Sequence, residues 1–113
     1  MSRELDLDIR ESYLGGRCDI YGYGKYKKVY YYDFTSLYPA VGSKFMMPIG
    51  NPVRVEGFDI DITTFYGFIR CLVTTNTNTL PLHGYKASNG KLAFAHHVDT
   101  EMMLFSEEIK RGL

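Results

Sequence analysis

Hydrophobic and polar positions alternate most cleanly between Phe65 and Thr75. Gly67, Ile69, Cys71 and Val73 fall on one face, and Tyr66, Phe68, Arg70, Leu72 and Thr74 on the other. A period of two is that of a strand with one face buried, and the Gly67–Val73 side is the more apolar. Leu80–Tyr85 and Lys91–Ala95 flank Asn89-Gly90, a dipeptide suited to the positive dihedral angles of a tight turn, and predict a hairpin. Arg17–Tyr23 and Lys28–Phe34 are aromatic and β-branched runs joined by Gly24-Lys25-Tyr26-Lys27, and predict a second antiparallel hairpin. Val53–Glu56 predicts a short strand.

Helical spacing occurs twice. Leu37, Val41, Phe45 and Met46 recur behind Thr35-Ser36, residues suited to cap a helix. Pro39 falls in the first turn, where a missing N–H costs nothing. Val98, Met102, Phe105 and Ile109 form an apolar face behind Asp99-Thr100, with Lys110-Arg111 late and Gly112 as a stop. That spacing predicts one helix through the C-terminal segment. Residues 1–12 are polar and acidic, with Leu5, Leu7 and Ile9 alternating, and predict a short edge strand or a weakly ordered leader. The expected class is α+β, with antiparallel β hairpins, a helix after the Asp33 strand and a C-terminal helix.

A length of 113 residues allows one domain with a modest core. Hydrophobic content of 45% and charged content of 23% are ordinary for a soluble protein. No apolar run is long enough to span a bilayer and no signal peptide opens the chain, so an intracellular setting without membrane partners is expected. Net charge is zero, but between Arg17 and Arg54 six basic residues face two acidic ones. They are interleaved with Tyr21, Tyr23, Tyr26 and Tyr30-Tyr31-Tyr32, a mixture that suits a single-stranded nucleic-acid track and equally a solvated, Tyr-rich strand pair. Cys18 and Cys71 form no CxxC pair and are expected to be buried thiols in a reducing compartment. His96-His97, as strand neighbours, point to opposite faces, which argues against zinc, and His83 reads as a strand-end residue. Asp59 and Asp61 share one strand face and either hold a cation or form a solvated edge.

Asp33 stands out chemically. It closes a strand one step before the turn into a helix, where a carboxylate at a rigid edge suits a hard divalent cation.

The run Asp33-Phe34-Thr35-Ser36-Leu37-Tyr38-Pro39 resembles the Asp-x-x-Ser-Leu-Tyr-Pro motif of family B DNA polymerases, the first polymerase motif of that family. About twenty residues earlier, Tyr13-Leu14-Gly15-Gly16 resembles their Tyr-x-Gly-Gly motif, and Pro48–Pro52 is similar to the Pro-x-Gly-x-Pro-like turn that ends the motif helix. The resemblance implies roles for particular residues. Asp33 is implied as catalytic metal ligand, helped by the Phe34 backbone carbonyl. Ser36 and Leu37 are implied as triphosphate contacts through the backbone, and Tyr38 as the gate that excludes ribose. Tyr13, Gly15, Gly16 and Arg17 are implied as template contacts, with Lys25, Lys27 and Lys28 as further DNA-binding candidates. The predicted hairpin would bring the two motifs together.

The second half is similar to the segment behind the first motif in the protein-primed branch, found in certain phages, adenoviruses and linear mitochondrial plasmids. The likeness rests on the strand Phe65–Thr75, Leu80-Pro81 with Tyr85, Gly90-Lys91-Leu92 and the Glu107–Gly112 helix end. On that resemblance residues 1–50 open a polymerase palm and 51–113 form the first terminal-protein region, together one compact unit. It implies Mg²⁺ in the complete enzyme. The implied partners are DNA template and primer, deoxynucleoside triphosphates and a terminal priming protein, and the implied origin is mitochondrial or viral. The family's Tyr-x-Asp-Thr-Asp turn, its Lys-bearing helix and its exonuclease acids do not occur in this sequence. One carboxylate cannot hold two metals in register, so the 113 residues are expected to be inactive alone and to self-associate through apolar surface left uncovered. Two other readings remain open: a stand-alone nucleic-acid- or partner-binding module using the basic Tyr-rich hairpin, and a metal-dependent hydrolase built on Asp33, Asp59 and Asp61.

Overall fold

A computed structural model describes residues 2–57 and 59–113. In chain order its elements are α1 (Arg3–Glu11), α2 (Leu37–Lys44), β1 (Phe68–Val73), β2 (Gly84–Lys86), β3 (Leu92–Phe94), β4 (Thr100–Phe105) and α3 (Ser106–Gly112). The class is α+β, as the patterning predicts. The elements divide between two units, one holding residues 1–17 and 51–113, the other residues 18–50.

The larger unit is built on one antiparallel pair. β1 lies beside β4 with Ile69 opposite Leu104 and Cys71 opposite Met102. The Ile69–Cys71–Val73 face is the inner one, as the alternation predicts, while Arg70 and Leu72 are exposed. Among the described residues Met102 and Leu104 are the buried apolar side chains, at 9% and 5% exposure. At one end of the pair the Ser106 amide donates to the Gly67 carbonyl at 2.8 Å, and the Gly67 amide donates back to Ser106 Oγ at 3.1 Å. Ser106 is wholly buried by this exchange. The Phe105 ring meets Tyr66 edge-on at 5.5 Å and Phe68 at 5.2 Å, closing the same end. At the other end Thr74 and Asp99 bond reciprocally, with Asp99 N–H donating to Thr74 Oγ1 at 2.9 Å and Thr74 Oγ1 donating to Asp99 Oδ1 at 3.1 Å.

β4 corrects the sequence reading. Thr100–Phe105 is strand, and the helix starts only at Ser106. Met102, Leu104 and Ser106 alternate inward, so period two competes with the period of Val98, Met102, Phe105 and Ile109. The edge offered by β1 decides between them. Asp99 has φ 45°, outside the region a capping residue uses.

The second sheet is the expected hairpin. Gly84 pairs with Phe94, Tyr85 with Ala93 and Lys86 with Leu92. Gly90 takes φ 80° at the turn, in open space, a conformation that favours glycine over any residue with a Cβ. The strands are shorter than predicted.

Residues 3–11 are helical rather than an edge strand or a loose leader. The Ser2 hydroxyl accepts from the Leu5 amide at 3.2 Å, a helix N-cap. Asp6 and Arg10 pair at 2.8 Å one turn apart. The alternation of Leu5, Leu7 and Ile9 is overridden because Asp8 meets fixed cations. Its carboxylate reaches Arg54 at 2.6 Å and Arg70 at 3.2 Å, and Arg70 also meets Glu11 at 3.1 Å and Glu101 at 3.5 Å. Each exposed pair contributes little alone, but a shared guanidinium orders several carboxylates at once.

Three further predicted strands, Arg17–Tyr23, Lys28–Phe34 and Val53–Glu56, are absent. Val53–Glu56 is irregular, and residues 18–34 carry no helix or strand. Every residue from Cys18 to Gly50 is exposed, including Cys18, against the burial expected of it. The physical reason is the lack of a face: Tyr30, Tyr31 and Tyr32 stand in succession without polar alternation, and a hairpin with no third strand or helix to cover it is marginal in water.

Truncating the inner face should separate core from surface. Leu104→Ala is expected to cost about 2–5 kcal/mol, whereas Leu72→Ala, at 69% exposure, should stay within about 0.5 kcal/mol. Equilibrium denaturation of both variants checks the contrast.

Candidate active site

Asp33 lies in the smaller unit, exposed, two residues before the Thr35-Ser36 turn that leads into α2. That turn has a feature the sequence did not announce. Ser36 takes a left-handed conformation, φ 48° and ψ 51°, and its hydroxyl makes no capping bond. Its carbonyl accepts from the Ala40 amide at 3.0 Å, so it still begins the helical ladder. A non-glycine residue held there costs on the order of 1 kcal/mol or more. Leu37 and Tyr38 then occupy the first turn, where amides have no partner inside the helix, and Pro39 has none to offer. Two backbone donors beside a helix N-terminus suit an anion such as a phosphate. α2 ends at Lys44, with the Phe45 amide bonding back to the Val41 carbonyl at 3.0 Å. Phe45 and Met46 therefore stand beyond the helix whose apolar face they are expected to extend. Phe34 and Tyr38 are exposed beside these groups.

In the same unit the Lys28 ammonium sits 5.1 Å from the Tyr30 ring centre, and the Tyr30 and Tyr32 rings lie nearly parallel at 6.4 Å. Lys25 and Lys27 are exposed nearby in sequence. The predicted hairpin between the two motifs is not formed. Tyr13, Gly15, Gly16 and Arg17 belong to the larger unit, where Tyr13 is exposed and Gly15 has open space around it. Arg17 is engaged: its Nη1 donates to the Pro81 carbonyl, and its guanidinium lies 4.4 Å from the Phe94 ring centre.

The fit to a metal is partial. Among the described residues no group of three or more His, Cys, Asp or Glu side chains could hold an ion. Asp33 offers one carboxylate, which would leave the rest of a magnesium shell to waters, substrate phosphates and further ligands. Asp59 and Asp61 do not form a strand-face pair: residues 62–64 turn, and the Asp61 Oδ1 accepts from the Thr63 amide at 3.0 Å and its hydroxyl at 2.6 Å. Those bonds hold the Asp61 carboxyl below its ordinary range.

His97 proves to be structural. It is buried, its Nε2 donates to the His83 carbonyl at 3.2 Å, and its ring meets Tyr85 edge-on at 5.5 Å. Its backbone pairs with Thr75, the carbonyl accepting from the Thr75 amide at 2.9 Å and the amide donating to Thr75 Oγ1 at 2.8 Å. One residue thus ties the end of β1 to the start of β2. His83 and Glu108 line a cleft of about 510 Å³ together with Leu7, Leu14, Tyr85 and Met103.

The whole chain, residues 1–113, matches the family of type B DNA polymerases of organelles and viruses. The chain belongs to that family. A probable DNA polymerase of Ascobolus immersus is 33% identical over 80 residues, covering 70% of this chain and 7% of that protein. Another probable DNA polymerase, from Podospora anserina, is 35% identical over 88 residues, covering 74% of this chain and 7% of its own. The chain therefore corresponds to only about 7% of the length of the curated relatives it matches. No solved structure matches it.

Acid and base should act on the cleft in opposite senses. Burial, and then the neighbouring His97, lower the His83 pKa below its ordinary 6.5. The stability it contributes is present above pH 6.5 and is lost as pH falls through the folded value. Burial raises the Glu108 pKa above 4.5, so its contribution is present below pH 4.5 and is lost as pH rises through the folded value. His83→Gln should flatten the acid-side loss, and Glu108→Gln should raise stability at neutral pH. Denaturation midpoints measured across the acid range check both.

Proposed function

We propose that this chain is a piece of a template-directed DNA polymerase, in which Asp33 contributes one metal-binding carboxylate and Tyr38 selects the sugar of the incoming nucleotide. The observation that carries the reading is the family match over all 113 residues, and the arrangement at α2 supports it. Asp33 precedes a strained turn, two first-turn amides and an exposed tyrosine, a sequence of groups suited to a carboxylate-bound cation, a triphosphate and a deoxyribose. Ser36 and Leu37 would meet the triphosphate through their backbone, and the Phe34 carbonyl would stand beside the cation. A divalent ion, magnesium in this reading, supplies charge neutralisation to phosphoryl transfer. The further carboxylates come from elsewhere in the complete polymerase, so the 113 residues alone are inactive.

Tyr13, Gly15 and Gly16 would line the template path. Lys25, Lys27 and Lys28, with the Tyr30 and Tyr32 rings, would form a cationic stacking track for a single strand. Residues 51–113 would meet a terminal priming protein. The rest of the polymerase covers the exposed apolar groups of residues 18–50, and the isolated chain self-associates through them. A mitochondrial plasmid or a virus is the setting that fits the family.

In the complete polymerase Asp33→Ala should lower primer extension by at least about a thousandfold while leaving primer–template affinity unchanged. Loss of DNA affinity alongside extension would rule out the metal role. Replacing Lys25, Lys27 and Lys28 together by alanine should reduce the slope of log affinity against log salt by roughly two to three. A slope that stays put would remove these lysines from the DNA track. Undiminished extension by the Asp33→Ala polymerase would leave only a binding module.

A further inference from the structure

Arg17 comes directly after the two glycines of the template motif, and its side chain is committed far along the chain. It donates to the carbonyl of Pro81, just ahead of β2, and covers the ring of Phe94, the last residue of β3. Phe94 is itself seated on bare backbone. Its register partner Gly84 is buried, and a Cβ at Gly84 would stand 2.9 Å from Phe94 Cζ and 3.0 Å from Cε1. The guanidinium thus caps a ring whose position the hairpin already fixes. Arg17 and Phe94 are both half-buried, which strengthens a cation–π contact relative to an exposed one.

We propose that Arg17 is a positioning residue: it anchors the Tyr13–Arg17 stretch on the β2–β3 hairpin, and it affects DNA through Phe94 and Pro81 rather than by touching a phosphate. The inference rests on the reading of Tyr13, Gly15 and Gly16 as a template track. A planar guanidinium can lie flat on a ring while its edge N–H bonds a carbonyl, a geometry that a compact ammonium does not reproduce. A phosphate contact needs only the charge.

The test uses the complete polymerase with Arg17→Ala, Arg17→Lys, Phe94→Leu and the Arg17→Ala/Phe94→Leu pair. Affinity for a labelled primer–template duplex is measured across salt, and the melting temperature without DNA is measured in parallel. Arg17→Ala and Phe94→Leu should each weaken binding about three- to tenfold, with the double variant no worse than the weaker single one. The salt slope should stay unchanged, and Arg17→Lys should fail to rescue. The melting temperatures should show the same non-additivity.

A salt slope lowered by about one on Arg17→Ala, rescue by lysine, or additive losses would overturn the proposal, as would unchanged binding. Arg17→Lys and Phe94→Leu carry the test should the alanine variant not fold. A wild-type polymerase that does not bind the duplex would sink the template reading instead, and the melting temperatures would still decide the anchor.

Discussion

The pairing of β1 with β4 governs the larger unit because it decides what β4 is. Thr100–Phe105 carries a helical period and a strand period at once, and only a neighbouring edge with Ile69 and Cys71 facing inward makes the strand period the better burial. Once β4 is fixed, Ser106 is held against Gly67 and α3 can begin nowhere else. The same pair presents Arg70 on its outer side, and Arg70 gathers carboxylates from α1 and β4. The N-terminal helix therefore owes its place to a residue some sixty positions away.

This dependence explains what was legible in the sequence. β1 could be read from its own alternation, and the β2–β3 hairpin from Asn89-Gly90, because both signals are local. α2 could be read from Leu37, Val41 and the position of Pro39. β4 could not, since Val98, Met102, Phe105 and Ile109 satisfy a helix until β1 is placed beside them. α1 was hidden by Leu5, Leu7 and Ile9, whose alternation yields to ion pairs made at long range. The Tyr-rich run at residues 28–34 has strand propensity, yet propensity needs a face to bury, and among the described residues none covers it.

The candidate site divides along the same line. Residue types and spacing mark Asp33, Tyr38 and the two glycines, because motif chemistry is written in adjacent positions. The left-handed turn at Ser36 is not so marked, and serine gives little warning of positive φ. Nor does Arg17 announce that its partners are Pro81 and Phe94. Where side chains meet across the fold, a motif names the participants without saying what they touch.

Gly84 and Gly90 stand six positions apart in one hairpin and are needed for unrelated reasons. At Gly90 the surroundings are empty and the demand is a positive φ. At Gly84 the dihedral is ordinary and the demand is room for the Phe94 ring. The first requirement is one of handedness, so a D-alanine installed by chemical synthesis would meet it and stiffen the turn. The second is one of volume, indifferent to dihedral preference, and would be relaxed by smaller side chains at residues 94 and 92, where the Phe94 ring and Leu92 Cδ1 both crowd that position. Replacing both glycines by L-alanine would thus break two independent conditions, and repairing one would leave the other broken.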